Sequence, residues 1–162
     1  MTERIKLLHE QAEREFRGES FNGHTLMETC RSLSVKDAAR TDTYENYSAW
    51  DNLIHCVYYK YVILRFLGAE SKVTAYPWEE KSFPPIKDSS EKEWNAALDY
   101  AEKVHEALQA KLAGLDPKRL EERFEAWDCT LDAALCWLPT HDTYHTAQIR
   151  NMGLACLRKP KK

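Results

Sequence analysis

Glycine and proline are scarce in this chain, with five glycines and six prolines among 162 residues. Both residues interrupt regular helices. Their scarcity, beside abundant alanine, leucine, glutamate and lysine, therefore favours helix throughout. The length suffices for one domain with a hydrophobic core, and we expect residues 1–162 to form a single helical domain.

Other absences narrow the class of protein. No run of about 18 apolar residues occurs, so a membrane-spanning helix is not expected. The N-terminal residues lack the apolar core of a secretory signal peptide. The five cysteines are an odd number without a Cys-x-x-Cys spacing, which favours reduced thiols and a cytoplasmic location. The net charge of −3, with acidic and basic residues interspersed, gives no reason to expect a nucleic-acid partner.

Apolar residues spaced three and four apart predict four main helices. Their predicted ranges are 3–17, 48–68, 90–114 and 130–157. Shorter helical pieces follow Thr25 and Ser34, and residues 69–89, which hold three prolines and no helical period, are predicted to form a long connection. We therefore predict an all-α fold: a four-helix bundle, up-down-down-up-like, with one long crossover connection.

Pro139 falls inside the last predicted helix. Because proline removes one backbone hydrogen bond, it predicts a kink just before His141. The alternative is a break in the helix, with Pro139 as the first residue of a new one. Either arrangement would shift His141 relative to His145.

Two histidines in this helix form a candidate metal site. His141 and His145 are four residues apart, so their side chains lie on one helical face, where two neutral imidazoles can share one ion. The best candidate for a third ligand is His55, inside the strongly apolar helix 48–68. Three protein ligands leave a position open for water or substrate, which is typical of catalytic sites. The alternative is that these histidines are core residues that bind no metal.

Three nearby residues are candidate helpers in catalysis. Gln148 lies one turn after His145, where it either orients that imidazole or a bound water, or faces solvent. Tyr58 and Tyr59 flank His55 and could donate a proton or a hydrogen bond to a substrate. Packing in an aromatic core is the alternative role for both tyrosines.

Three further polar residues are not expected to bind the same ion. Cys56 points about 100° away from His55 around the helix. Asp142 is rotated from His141 by the same angle, and we expect it to cap the helix or to face solvent. His105 lies on the apolar seam of the third main helix, where a core or rim position is favoured over a role as fourth ligand.

The motif His141-Asp-x-Tyr-His145-x-x-Gln148-Ile149 resembles the final-helix signature of the DinB/YfiT-like superfamily of metal-binding bundles. Upstream segments are similar to that family as well: Gly23-His-Thr-Leu-Met-Glu, Ser34-Val-Lys-Asp-Ala-Ala and Tyr47-Ser-Ala-Trp50-Asp-Asn-Leu-Ile-His55. The resemblance spans about residues 10–157, which is nearly the whole chain.

The resemblance implies a DinB-like bundle, often a homodimer, that holds one divalent metal per chain through His55, His141 and His145. Zinc and nickel suit imidazole ligands best. The implied function is a metal-dependent transferase or hydrolase, in which metal-bound water or a small thiol (bacillithiol, mycothiol or glutathione) attacks an electrophilic small molecule. The alternative is a stress-associated metal-binding protein without enzymatic activity.

Overall fold

The computed structural model describes residues 1–69 and 75–157. Its α-helices are α1 (Glu3–Phe16), α2 (Leu26–Arg31), α3 (Val35–Ala38), α4 (Ala49–Phe66), α5 (Glu91–Ala113) and α6 (Leu131–Arg150). Between α5 and α6, a short antiparallel ribbon pairs β1 (Arg123–Phe124) with β2 (Cys129–Thr130). The predicted all-α fold is confirmed. Among the described residues, none of the helices has both the length and the apolar character that a membrane crossing requires.

Hydroxyl side chains begin each of the six α-helices named above. In each case a serine or threonine oxygen accepts a hydrogen bond from a backbone N–H of the first turn, which would otherwise lack a partner. These caps are Thr2, Thr25, Ser34, Ser48, Ser90 and Thr130. At Ser48 the capping is reciprocal, since the backbone N–H of Ser48 donates to the carboxylate of Asp51 at 2.8 Å. This double cap fixes the start of α4, the helix that carries His55.

The four long helices surround one apolar core. α1 packs against α5 and α6, and α4 packs against the same two helices, so the four close a ring. α4 is apolar around most of its circumference and is buried along most of its length, which places it centrally. This packing agrees with the predicted bundle, while the order of helix directions stays a prediction.

The last helix differs from its prediction in two respects. α6 runs continuously through Pro139, so the alternative of a break there is wrong. The helix also ends at Arg150 rather than near Leu157. Asn151 caps it, and Gly153, two residues further on, adopts a positive φ of 74°. A kink at Pro139 stays a prediction.

The connection between α4 and α5 packs onto the bundle where it is described. Residues 70–74 of the predicted connection lie outside the described residues. From residue 75 to α5 the chain forms no helix, as predicted, and Tyr76 packs against the hydrophobic core. Further along, the ring of Phe83 stacks on the imidazole of His55, with 4.1 Å between ring centroids. This irregular segment therefore forms one wall around the candidate site.

Candidate metal centre

Three histidines from two helices converge at one place, and we call them the histidine triad: His55 from α4, and His141 and His145 from successive turns of α6. One ring nitrogen of each lies within 4.8 Å of the other two. The Nε2 atoms of His141 and His145 approach to 2.9 Å. The structure thus brings together all three residues proposed as ligands, and metal binding by them stays a prediction.

The triad is nearly buried, since each residue is only 6–8% exposed. Burial disfavours the charged form of imidazole, and nearby histidines add to this effect at two of the three positions. It lowers the pKa of His55 and His145 to about 4 and that of His141 to about 2. All three rings are therefore neutral at pH 7, which is the form that binds metals.

Asn52 fixes the orientation of one ligand. Its side-chain oxygen lies 2.7 Å from Nδ1 of His145 and can only accept, so Nδ1 carries the proton and Nε2 carries a lone pair. Asn52 is itself held by its Nδ2 group, which donates to the backbone carbonyl of Ser48 at 2.8 Å. Metal-binding histidines usually have such a partner on the second nitrogen. Asn52 is not among the residues predicted from the sequence, although its place one turn before His55 was an available signal.

The donor set fits a divalent transition metal. Two nitrogens bound to one ion at roughly 2.0–2.1 Å are about 2.9 Å apart at an angle of 90°, and about 3.4 Å apart at the tetrahedral angle that zinc sites favour. The Nε2 atoms of His141 and His145, which are 2.9 Å apart, match the first separation and lie within a few tenths of an ångström of the second. Three neutral imidazoles suit zinc, nickel or copper better than the harder ions magnesium and calcium.

Aromatic rings pack against the triad on several sides. Trp137 stacks on His141 with 4.0 Å between centroids, just as Phe83 stacks on His55. Tyr59 presents its ring at right angles to both of these histidines, at 4.9 Å and 5.0 Å. These contacts restrict the ring planes and exclude water from much of the imidazole surface.

The candidate helpers differ in their surroundings. Tyr58 packs against Tyr61 in an aromatic cluster, in line with the core alternative for this residue. Gln148 donates from Nε2 to the carboxylate of Glu45 at 3.0 Å and to the hydroxyl of Tyr144 at 3.1 Å. Gln148 is therefore fixed in the wall beside the triad, and a catalytic role for any helper stays a prediction.

A cavity of about 520 Å³ opens over the triad. Apart from the histidines, its principal lining residues are Glu45, Tyr47, Tyr59, Phe83, Trp137, Tyr144 and Gln148. A second cavity of about 310 Å³ adjoins it and shares four of these residues, namely Glu45, Tyr47, Tyr144 and Gln148. A small molecule in the larger cavity would therefore contact the imidazoles directly.

The comparison with protein families agrees with this geometry. The sequence model of the family described as the DinB superfamily matches residues 21–149, which is most of the chain. The chain belongs to the DinB superfamily. No curated protein and no solved structure matches it. The DinB match runs from α2 to α6 and includes the whole triad. The homodimer, the identity of the metal and the cytoplasmic location stay predictions.

The position of Asp142 in this DinB-superfamily chain differs from the one expected from the sequence. It neither caps the helix nor faces solvent, because its side chain is fully buried. Both carboxylate oxygens accept hydrogen bonds from Nζ of Lys60 on α4, each at 2.5 Å. A buried carboxylate requires such a partner. The available signal was Lys60, a lone basic residue in the middle of the most apolar helix.

Cys56 also lies near this ion pair rather than in the triad. Its sulfur, a nitrogen of His141 and an oxygen of Asp142 lie within 4.8 Å of one another. Burial raises the pKa of the Cys56 thiol well above its ordinary value, as does the nearby Asp142. Since the thiol keeps its proton and the carboxylate is paired with Lys60, this second group is a poor metal site.

His105 occupies the core of the DinB bundle. Its ring stacks on Phe16 with 4.1 Å between centroids, and its Nε2 lies 2.9 Å from a carboxylate oxygen of Glu13. The residue is fully buried. The structure therefore places His105 among core residues, as favoured, and gives no support to a role as fourth ligand.

Proposed function

We propose that this DinB-superfamily protein is a metal-dependent enzyme that binds one divalent transition metal through His55, His141 and His145. The observation that carries the proposal is the convergence of three neutral imidazoles on the floor of a cavity. Among the described residues, no further histidine, cysteine or carboxylate joins all three of them. Three protein ligands leave the ion open to a small molecule, whereas structural sites have four.

The reaction that we propose is transfer of a small thiol to an electrophile, or hydrolysis. A bound zinc or nickel ion would supply a nucleophile at neutral pH by lowering the pKa of a water or thiol. Asn52 would keep His145 in the tautomer that offers Nε2. Phe83 and Trp137, stacked on the other two ligands, would hold the imidazole planes and limit the access of water.

Tyr59 is the residue best placed to assist a bound substrate. Its ring contacts His55 and His141, and it lines the cavity. Like any phenol, it keeps its proton at neutral pH, and burial raises its pKa further. A hydrogen bond with the side chain of Ser82 holds the hydroxyl in place. We propose that this hydroxyl orients the electrophile rather than acting as a base.

Metal analysis of protein purified without an affinity tag tests the proposal. We expect close to one transition metal per chain in the wild type and less than about a tenth of that in the triple variant His55→Ala/His141→Ala/His145→Ala. The matched control is His9→Ala/His24→Ala, which should keep its metal. Circular dichroism would establish that each variant is folded. A folded wild type that binds no zinc or nickel would contradict the proposal.

A non-catalytic metal-binding protein is the second candidate function. The close cover of two ligand rings by Phe83 and Trp137 favours it, since it limits access to the ion. Nickel-substituted protein distinguishes the two. An absorption spectrum that changes when a small thiol is added would support an open, reactive site. An unchanged spectrum, with no turnover of thiols, esters or amides, would support the second candidate.

A further inference from the structure

Acidic and basic side chains are not equally represented in the walls around the triad. Among the described residues that line the two adjoining cavities, Glu45 is the one acidic residue, and neither lining includes a lysine or an arginine. Glu45 is exposed to solvent at the rim and belongs to both cavities. The walls beyond the histidines therefore carry negative charge.

Gln148 holds the Glu45 carboxylate in this wall. Nε2 of Gln148 donates to the carboxylate of Glu45 and to the hydroxyl of Tyr144. A carboxylate has several acceptor positions, and this hydrogen bond uses one of them. A ligand that brings a donor or a positive charge to this wall can therefore pair with Glu45.

Aromatic rings make up much of the remaining wall. They belong to Tyr47, Tyr59, Phe83, Trp137 and Tyr144. Tyr144 and Trp137 are 57% and 38% exposed, so parts of their rings are available to a ligand. The face of an aromatic ring attracts cations and packs against flat apolar groups. One carboxylate among several aromatic rings is the arrangement expected for a cationic or aromatic ligand.

We propose that the substrate carries a positively charged nitrogen beside a flat apolar group, at the end that lies over Glu45. This inference rests on the proposed function, because it assigns a substrate class to the same site. The histidine end and the Glu45 end would recognise separate parts of one molecule. It follows that molecules with a carboxylate at that end, including a thiol with two carboxylates such as glutathione, are disfavoured.

A matched pair of probes tests the charge preference. Benzyltrimethylammonium and phenylmethanesulfonate have the same ring and similar head groups of opposite charge. Each is titrated into the purified full-length protein at low salt, and binding is followed by NMR shifts of the backbone amides of cavity residues. We expect the ratio of ammonium to sulfonate affinity to fall about tenfold in Glu45→Gln. Glu121→Gln, which removes an exposed carboxylate outside the cavity, should leave the ratio unchanged.

The test compares this affinity ratio between the wild type and Glu45→Gln, because a bound metal would affect these two proteins alike. A ratio that is unchanged in Glu45→Gln would overturn the inference, and so would probe shifts confined to residues outside the cavity. Metal content is measured on the same samples. Metal-bound protein with an unchanged ratio refutes the inference alone. Metal-free protein that shows the expected change refutes the proposed function and leaves the charge preference established.

Discussion

The histidine triad and a second polar cluster in the bundle differ in what their polar groups face. The second, which we call the interior cluster, consists of the buried residues Lys60, His105 and Asp142 and the half-buried Glu13. There each polar group faces a complementary one, since Lys60 Nζ lies 2.5 Å from Asp142 and His105 Nε2 lies 2.9 Å from Glu13. In the triad, imidazole nitrogens face imidazole nitrogens.

This contrast shows that burial by itself does not identify a metal ligand. Burial lowers the pKa of His105 to about 3, helped by the charge of Lys60, much as it lowers the pKa of His141 to about 2. The partners distinguish the two residues. A ring nitrogen beside a carboxylate is satisfied by its own proton. Between His141 and His145, either one ring donates its own proton to the other or a cation lies between the two nitrogens.

The largest expected effect lies in the interior cluster. Lys60→Met leaves Asp142 buried without its counter-charge, which should lower the free energy of unfolding by about 3–5 kcal/mol. Urea unfolding measures the loss. Lys103→Met, at an exposed position of α5, should change stability by less than about 0.5 kcal/mol. The double variant Lys60→Met/Asp142→Leu should recover most of the loss. A single variant as stable as the wild type would show that Asp142 does not depend on Lys60.

The second largest expected effect is that of acidification, which should distinguish the two clusters by how much each contributes to the pH dependence of stability. The triad pKa values lie at or below about 4, against 6.5 ordinarily, so between these pH values the unfolded chain binds more protons. The free energy of unfolding of metal-free protein should therefore fall as pH is lowered from about 6.5 to about 4. The slope should reach at most about 1.4 kcal/mol per pH unit for each histidine.

The matching variants sharpen this test. Alanine at all three triad positions removes three such groups, whereas His105→Gln removes one whose pKa is shifted in the same direction. Denaturant unfolding at several pH values should thus give a flatter curve for the triple variant than for His105→Gln. Equal slopes would mean that the triad histidines are protonated in the folded protein at mild acidity.

The smallest expected effect concerns the partner of one ligand. Asn52→Leu removes the acceptor on Nδ1 of His145 while keeping a similar volume, so metal affinity should fall about 10–100-fold. Competition with a chromophoric chelator measures it. Asn95→Leu, at an exposed position of α5, is the control and should retain full affinity. Unchanged affinity in Asn52→Leu would reduce this residue to a packing role.

Local signals in the sequence predicted most of the fold. Apolar residues three and four apart predicted starts at residues 48, 90 and 130, and these positions hold the hydroxyl caps Ser48, Ser90 and Thr130 of α4, α5 and α6. Both signals act within a few residues of the chain. Burial of one particular helical face depends on what packs against it. The buried position of Asp142 was therefore missed, because it is determined by Lys60 on another helix.

The same distinction applies to the site. The pair His141 and His145 follows from spacing within one helix, and His55 from its apolar surroundings together with the family resemblance. Two wall residues, Tyr59 and Gln148, were singled out because they follow the ligands on the same helices. The other walls could not be predicted, because they come from segments brought together only by folding. Phe83 lies in a connection without any periodicity, and Glu45 lies in the polar segment before α4.

The stacking of Phe83 on His55 has a consequence for how such a protein diversifies. The proposed ligands stand on packed helices that cannot shift without disturbing the core. Phe83 stands on irregular chain between α4 and α5, where insertions and substitutions are tolerated far better. The proposed ligands and this part of the cavity wall therefore stand on separate parts of the chain. The second can change in sequence without disturbing the packing that holds the first.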